Sequence, residues 1–539
     1  LVTRLKRPFS TAVPASRFPM EIAVLDMSGR LVHRLVDRPL ADDLPPAFDS
    51  VVTGPRSAEW RADAASTLVW VETQDRGDPA NEVAVRDRVL MLDAPFRGRP
   101  HVLAELADRY SGISWGRGDF AIVYSRWFNT RNEKRFAVNP SRPGRARLLL
   151  ERNYQDRYNN PGFPVTTTNA RGQSVIHFTP DGEGYFAAGP GETREGAFPF
   201  LDRVSIADGE ITRLWRAEAP YYESLVALLD EDGERLLTRR ESEAEAPNYY
   251  IRSRTGEASA ITNFPDPAPQ FAGVRKELIT YQRADGVELS GTLYLPADYD
   301  PARDGPLPTL LWAYPTEYTD ARVAGQVVDQ ANRFVRPGGS SHLFLLTQGY
   351  AIFDNPTMPI VGEGGAEPND TYVQQLSAGA EAAVNALVAR GVADRRCIAV
   401  GGHSYGAFMT ANLLAHTDLF RTGIARSGAY NRTLTPFGFQ AEQRPYWQAV
   451  ETYTEMSPFT HANRVNEPIL LLHGEVDDNS GTFPMQSERF YAALRGNGAT
   501  ARYVVLPHEA HGYRARESVG HTLWEMHNWL ERHLRPACG

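Results

Sequence analysis

Cys397-Ile-Ala-Val-Gly-Gly-His-Ser-Tyr-Gly-Ala-Phe-Met-Thr-Ala-Asn-Leu-Leu-Ala-His416 is the stretch on which the fold turns. Cys397 to Val400 is a short apolar run of the kind a buried strand carries. Ala407 to His416 consists mostly of good helix formers. Between them lies Gly402-His403-Ser404-Tyr405-Gly406, a G-x-S-x-G nucleophile elbow. So tight a strand-to-helix turn forces the serine into strained backbone, and its neighbours can carry no Cβ. The hydroxyl then stands at a helix N-terminus, where the dipole and free N–H groups favour developing negative charge. A plain Gly-Ser turn would read the same without the flanking strand and helix; with them, Ser404 is the candidate nucleophile.

Downstream and upstream of the elbow, strands alternate with helices. Strands are expected at Thr309–Ala313, Tyr350–Phe353, Thr422–Ala425, Ile469–His473 and Arg502–Leu506, and helices at Tyr372–Arg390, Met485–Arg495 and Val519–Leu534. A hairpin over Asp285-Gly286 precedes them. This is the pattern of a doubly wound, mostly parallel sheet, an α/β-hydrolase catalytic domain over residues 271–539. Residues 1–270 read as all-β. Short apolar runs such as Glu21–Asp26, Thr67–Glu72, Ala121–Tyr124, Ala146–Leu150, Ser174–Phe178 and Ile211–Trp215 are separated by turn signals such as Asp208-Gly209 and Asp232-Gly233. An aromatic residue recurs in units such as Ala58–Asp63 and Gly112–Trp115, which favours a β-propeller over a β-sandwich. At roughly 40–50 residues per blade this region holds five or six blades at most, as expected of a propeller lacking upstream blades. The proline-rich stretch 262–270 reads as the linker.

Bulk composition narrows the function. The chain has 539 residues, 42% hydrophobic and 23% charged, which is globular and too long for one core. A net charge of −9 without a Lys/Arg block argues against nucleic acid as partner. No apolar window approaches the ~18 residues of a membrane span. Two cysteines, Cys397 and Cys538, cannot build a disulfide framework, and Cys397 reads as a small core residue rather than a reactive thiol. Three of the 57 basic residues are lysine, a skew that fits a high-GC, bacterial genome and a cytoplasmic or periplasmic protein. The numbering opens on Leu1, as if inside a longer natural chain.

A serine hydroxyl needs a base, and the base an orienting acid; in this fold they follow in the order Ser, Asp or Glu, His. After Ile469–His473 comes Gly474-Glu475-Val476-Asp477-Asp478-Asn479, at the carboxyl end of a strand, where ligands bind in such sheets. Asp477 is the candidate acid, with Asp478 and Glu475 as alternatives. After the last strand, Pro507-His508-Glu509-Ala510-His511-Gly512 offers His511 as base and His508 as competitor. An oxyanion hole needs two donors. The Tyr405 backbone N–H is one, and the Tyr314 hydroxyl, on the loop after Thr309–Ala313, is the other.

With these motifs in this order the chain resembles the prolyl oligopeptidase family of serine peptidases, and more closely its glutamyl endopeptidase branch, known from chloroplasts and bacteria. The similar stretches run nearly end to end: Val13–Ile22, Trp60–Asp63, Glu72–Asp75, Tyr110–Trp115, Pro356–Gly364, Asn369-Asp370 and, most specific, Arg426–Phe439. The resemblance implies Ser404 as nucleophile, Asp477 as acid, His511 as base and Tyr314 as side-chain oxyanion donor. It implies a serine endopeptidase acting through an acyl-enzyme on peptides or unfolded segments, cleaving after glutamate, with no metal or organic cofactor. An acyl-peptide hydrolase or esterase would use the same triad, and a catalytically silent propeller scaffold is a reading of another class. A glutamate side chain needs a cation in the specificity pocket. Arg432 falls where proline-preferring relatives place an aromatic residue. Arg426 is its competitor, His403 could assist, and Asn479 completes the expected substrate-binding set.

Overall fold

The structure, a computed structural model, describes all residues except 12, 46, 145, 328–331 and 539. Among the described residues, five antiparallel sheets of three or four strands succeed one another in the first half, with two two-stranded ribbons beside them. The first pairs Val2–Leu5, Met20–Leu25 and Leu31–Arg38 in chain order. The second and third are four-stranded meanders over residues 56–106 and 109–153. The fourth orders Phe163–Pro164, Gly184–Gly189, Phe200–Ser205 and Ile211–Arg216, and the fifth runs from Tyr222–Leu228 to Ala258–Ala260.

The central strands of the inner sheets are apolar on both faces because each of those sheets is packed between two others. In Thr67–Thr73, Val69 and Val71 meet Trp115 and Val123 of the third sheet, while Leu68 and Trp70 meet Val24 of the first. In Phe120–Trp127, Ile122 and Tyr124 face the opposite way from Val123, against Ile176 and Tyr185. Phe186 and Leu201 then join Leu236 of the fifth sheet. This face-to-face succession is blade stacking, the β-propeller expected.

The second half is built on one eight-stranded sheet, beside which Pro315–Tyr318 and Met358–Val361 form a short parallel pair. Its strands, numbered here within that sheet, are β1 (Arg275–Gln282), β2 (Glu288–Leu295), β3 (Thr309–Trp312), β4 (Ala351–Asp354), β5 (Ile398–His403), β6 (Thr422–Arg426), β7 (Ile469–Gly474) and β8 (Ala501–Leu506). They lie in the order β1-β2-β4-β3-β5-β6-β7-β8, antiparallel at the β1–β2 hairpin and the β2–β4 pair and parallel from β4 onward. Helices α1 (Tyr372–Ala389), α2 (Tyr405–His416) and α3 (Met485–Gly496) cover one face, with Leu376, Val384, Phe408 and Phe490 packed on Leu311, Val400, Ala425 and Leu471. Helix α4 (Arg516–His533) covers the other, with Met526, Trp529 and Leu530 on Leu310, Ala399, Ile424 and Leu470. Parallel strands buried on both faces are near-continuous apolar runs, as Ile469–Leu472 shows. The α/β-hydrolase expectation therefore holds, with helix ends shifted by one to three residues.

Cys397, in the short turn before β5, is joined by a disulfide to Cys538, 141 residues on, with a Cα–Cα distance of 5.2 Å. Cys397 is buried as expected, but as half of a cross-link between the root of β5 and Cys538. No described helix is long and apolar enough to cross a membrane.

Candidate active site

Ser404 sits between β5 and α2 with φ 59° and ψ −117°, backbone that a non-glycine residue holds only under constraint. The constraint is visible. A Cβ on Gly402 would lie 2.4 Å from the Gly406 backbone, and one on Gly406 would lie 2.3 Å from the Ala313 carbonyl oxygen. The two glycines let the turn close and let the loop after β3 ride against it. The Ser404 N–H is tied to the Arg426 carbonyl at 2.8 Å.

The carboxyl ends of β3, β5, β6, β7 and β8 bring the remaining candidates to this point. Asp477 is buried, and its Oδ2 is 2.8 Å from His511 Nδ1. Its Oδ1 accepts from the Asn479 N–H at 3.0 Å and from Thr482 Oγ1 at 3.4 Å. Burial pushes the Asp477 carboxyl up, but hydrogen bonds from His473 and His511 outweigh it and hold the group well below the usual carboxylate range. Asp478 is exposed, and Glu475 accepts from the His508 N–H at 2.9 Å, so neither alternative acid reaches the base. His508 is likewise turned out to solvent. The His511 ring lies 4.8 Å from that of His403, the residue before Ser404.

Tyr314, on the loop after β3, is about half exposed, and its phenol is raised above the ordinary value chiefly by partial burial, with Gln440 and Ser404 beside it drawing it back down. Its ring meets that of Tyr405 edge-on at 5.8 Å. The Tyr405 hydroxyl donates to Glu317 Oε1 at 2.7 Å, which fixes the residue whose N–H is the second candidate donor. Burial pushes the Glu317 carboxyl up.

A cavity of about 740 Å³ opens at Ser404 and is lined by Tyr405, Arg432, Phe439 and Asn479 and, from the antiparallel half, by Arg17 and Phe48. Arg432 is 4% exposed. Its guanidinium lies 4.1 Å from the Phe408 ring centroid and 4.3 Å from that of Phe439, and its backbone N–H donates to Ser457 Oγ at 2.9 Å. Among the described residues no carboxylate forms an ion pair with it; Glu442 is taken by Arg444 at 2.7 Å.

Two expected substrate contacts are not there. Arg426 is buried on the other face of β6, where alternation puts it with Ile424 against α4; its Nη2 donates to Ser340 Oγ at 2.8 Å, and it lies 5.2 Å from the Tyr513 ring, outside the cavity. His403 is not in the lining of that cavity; its ring packs against His511 and Tyr513, where burial and the Arg426 guanidinium hold the imidazole well below its ordinary value. Asn479 does line the cavity, its side chain donating to Thr482 Oγ1 at 3.0 Å. Two further polar residues of the site are not singled out by the sequence reading: Glu317, buried in the short strand Pro315–Tyr318, and His473, at the end of the apolar run of β7. The signal for His473 is an imidazole closing an apolar strand, where a buried polar group needs a partner.

Residues 374–537 match the prolyl oligopeptidase family. The probable chloroplastic glutamyl endopeptidase of Arabidopsis thaliana is 49% identical over 99% of this chain and 58% of its own length. Its counterpart in Oryza sativa subsp. japonica is 48% identical over 99% of this chain and 59% of its own length. The chain thus spans about three fifths of these curated relatives. Both are plant chloroplast proteins, which lends no support to the bacterial source expected from the arginine skew. Among solved structures, an acylaminoacyl peptidase of Pyrococcus horikoshii superposes with a TM-score of 0.63 at 17% identity, covering 99% of this chain and 79% of that one. A puromycin-hydrolyzing peptidase of Mycobacterium tuberculosis gives 0.60 at 17%, covering 95% and 72%; both likenesses concern the fold.

Proposed function

We propose that this chain, whose residues 374–537 match the prolyl oligopeptidase family, is a serine endopeptidase that cleaves peptide bonds after glutamate. Ser404 Oγ attacks the scissile carbonyl while His511 takes its proton. Asp477, bound to Nδ1, leaves Nε2 as the basic nitrogen and stabilises the imidazolium that forms. The Tyr405 N–H and the Tyr314 hydroxyl receive the oxyanion. His511 then protonates the leaving amine, and water releases the acyl-enzyme by the same steps in reverse.

The observation that carries the glutamate assignment is Arg432: a buried guanidinium in the cavity of Ser404, ringed by aromatic faces and without a carboxylate partner among the described residues. A substrate carboxylate leaving water requires such a fork. The names of the two plant relatives support the same reading. The test is a digest of a peptide library, scoring the residue before each cut. Cuts concentrated after glutamate are expected. Cuts without that preference, or turnover confined to short acyl esters and acyl-peptides, would replace it with an acyl-hydrolase reading.

A further inference from the structure

We propose that His473 is a positioning residue of this hydrolytic site: its ring holds the Asp477 carboxylate in the orientation that His511 requires. The inference rests on the serine-hydrolase reading above and adds a residue to it. His473 is the penultimate residue of β7 and is wholly buried. The Asp477 N–H bonds the Gly474 carbonyl at 3.2 Å, and the turn so formed carries the Asp477 carboxylate back over the His473 ring. His473 Nε2 lies 2.7 Å from the Thr482 carbonyl oxygen, which can only accept, so Nε2 carries a proton. The same nitrogen is 3.1 Å from Asp477 Oδ2. On the other side of the ring, Nδ1 meets Ser487 Oγ at 2.7 Å, in the first turn of α3.

Asp477 Oδ2 therefore has an imidazole nitrogen on each side, His511 Nδ1 at 2.8 Å on the solvent side and His473 Nε2 at 3.1 Å behind it, the one Nε2 proton being divided between this oxygen and the Thr482 carbonyl at 2.7 Å. Ordinary hydrogen-bond chemistry then ties the two rings together. The carboxylate cannot rotate away from His511 without abandoning a buried donor. With that donor removed, Oδ2 has one imidazole left to satisfy it, and the bond to His511 Nδ1 strengthens. The other groups around this cluster are the neutral His403 imidazole, Arg426, and Tyr513, whose hydroxyl meets Ser427 Oγ at 2.9 Å and donates to the Leu472 carbonyl at 3.2 Å. None of them contributes a hydrogen bond to Asp477.

The experiment measures the rate at which a fluorophosphonate phosphonylates Ser404 as a function of pH, in the full chain and in His473→Leu and His473→Gln. This readout needs the triad but no knowledge of the substrate. Leucine removes the donor; glutamine puts an N–H near the place of Nε2. His473→Leu should react ~10- to 100-fold more slowly, the worth of one hydrogen bond to a charged group. The acid limb of its rate profile should move to higher pH, because the remaining bond from His511 strengthens. His473→Gln should recover most of both. Ser487→Ala, which frees the far side of the ring without touching Asp477, should shift rate and limb the same way by a smaller amount, and it keeps the test standing if the leucine variant does not fold. Equal losses in the leucine and glutamine variants, an unmoved limb, or wild-type rates in Ser487→Ala would overturn the proposal. A wild-type chain that is phosphonylated at Ser404 yet cuts no glutamyl bond would overturn the substrate reading alone, since the His473 comparison uses the same phosphonylation rates.

Discussion

Asp477 and Asp478 are neighbours with the same side chain, yet one is sealed against His511 and the other faces water. Replacing Asp477 with Asn puts an amide where the imidazole needs an acceptor and favours the wrong tautomer, so kcat should fall by up to ~10⁴-fold. Asp478→Asn should stay near wild type; a larger loss there would shift the acid by one residue. At Arg432 the reasoning concerns a buried charge. Arg432→Leu should lower kcat/KM on a Glu substrate by roughly 30- to several thousand-fold, the ~2–5 kcal/mol of an unpaired buried partner. The same variant should lose far less on the matched Gln substrate. Equal losses on both would remove Arg432 from specificity and leave it as packing between Phe408 and Phe439.

The elbow works as a unit of strand, turn and helix, because the Gly402 and Gly406 positions have no room for a side chain. Gly406→Ala should push the loop after β3 off the turn. Overpacking of this kind costs about 1–3 kcal/mol. Because Tyr314 rides on that loop, the variant should lose activity along with melting temperature. Gly520 is the contrast. It lies inside α4, on the exposed side, with nothing within 4 Å of its would-be Cβ. Gly520→Ala should raise the melting midpoint by an amount corresponding to ~0.5–1 kcal/mol, with kcat unchanged. If both alanines behaved alike, steric closure would not be what shapes the elbow.

Across the molecule, the mixed sheet supplies the reacting groups and the antiparallel sheets supply a wall. Arg17 and Phe48 line the cavity of Ser404, and Phe48 stacks on Phe128 at 4.0 Å. Gln155 donates to the Glu317 carbonyl at 2.8 Å, and Gln443 to Asn129 Oδ1 at 2.6 Å, so the halves are joined on both sides of the site. Phe48 is half exposed at the mouth, where an extended chain would pass while a small ester would not. Phe48→Ala should therefore raise KM for a peptide substrate and leave kcat, and turnover of a short acyl ester, close to wild type. A fall in ester turnover would mean that Phe48 supports the site itself.

Much of this was legible in the chain because it is local. A strand, a glycine turn and a helix are set by a dozen consecutive residues, and the order of the strands places every loop that follows one at the same edge of the sheet. Ser404 could be named from that alone, and the acid and base narrowed to two short loops, with Asp478 and Glu475 beside Asp477 and His508 beside His511. Arg426 could have been set aside too: it is two residues from Ile424 on one strand and so shares its face, away from α2. What the sequence left open depends on contacts between distant segments. Asp477 and Asp478 differ only in which side of a turn faces His511, 34 residues on. That Arg432 makes no ion pair among the described residues, with Glu442 held by Arg444 and the buried Glu317 bonded to the Tyr405 hydroxyl, is settled only in space. The tie from Cys397 to Cys538 closes 141 residues, and the tie from Gln155 to Glu317 bridges the two halves. His473 gains its partners only when β7 and the first turn of α3 meet. Hydrogen bonds and charges act over a few ångströms of space, whatever the distance along the chain, so the burial and partner of a polar side chain are decided only when the tertiary fold closes.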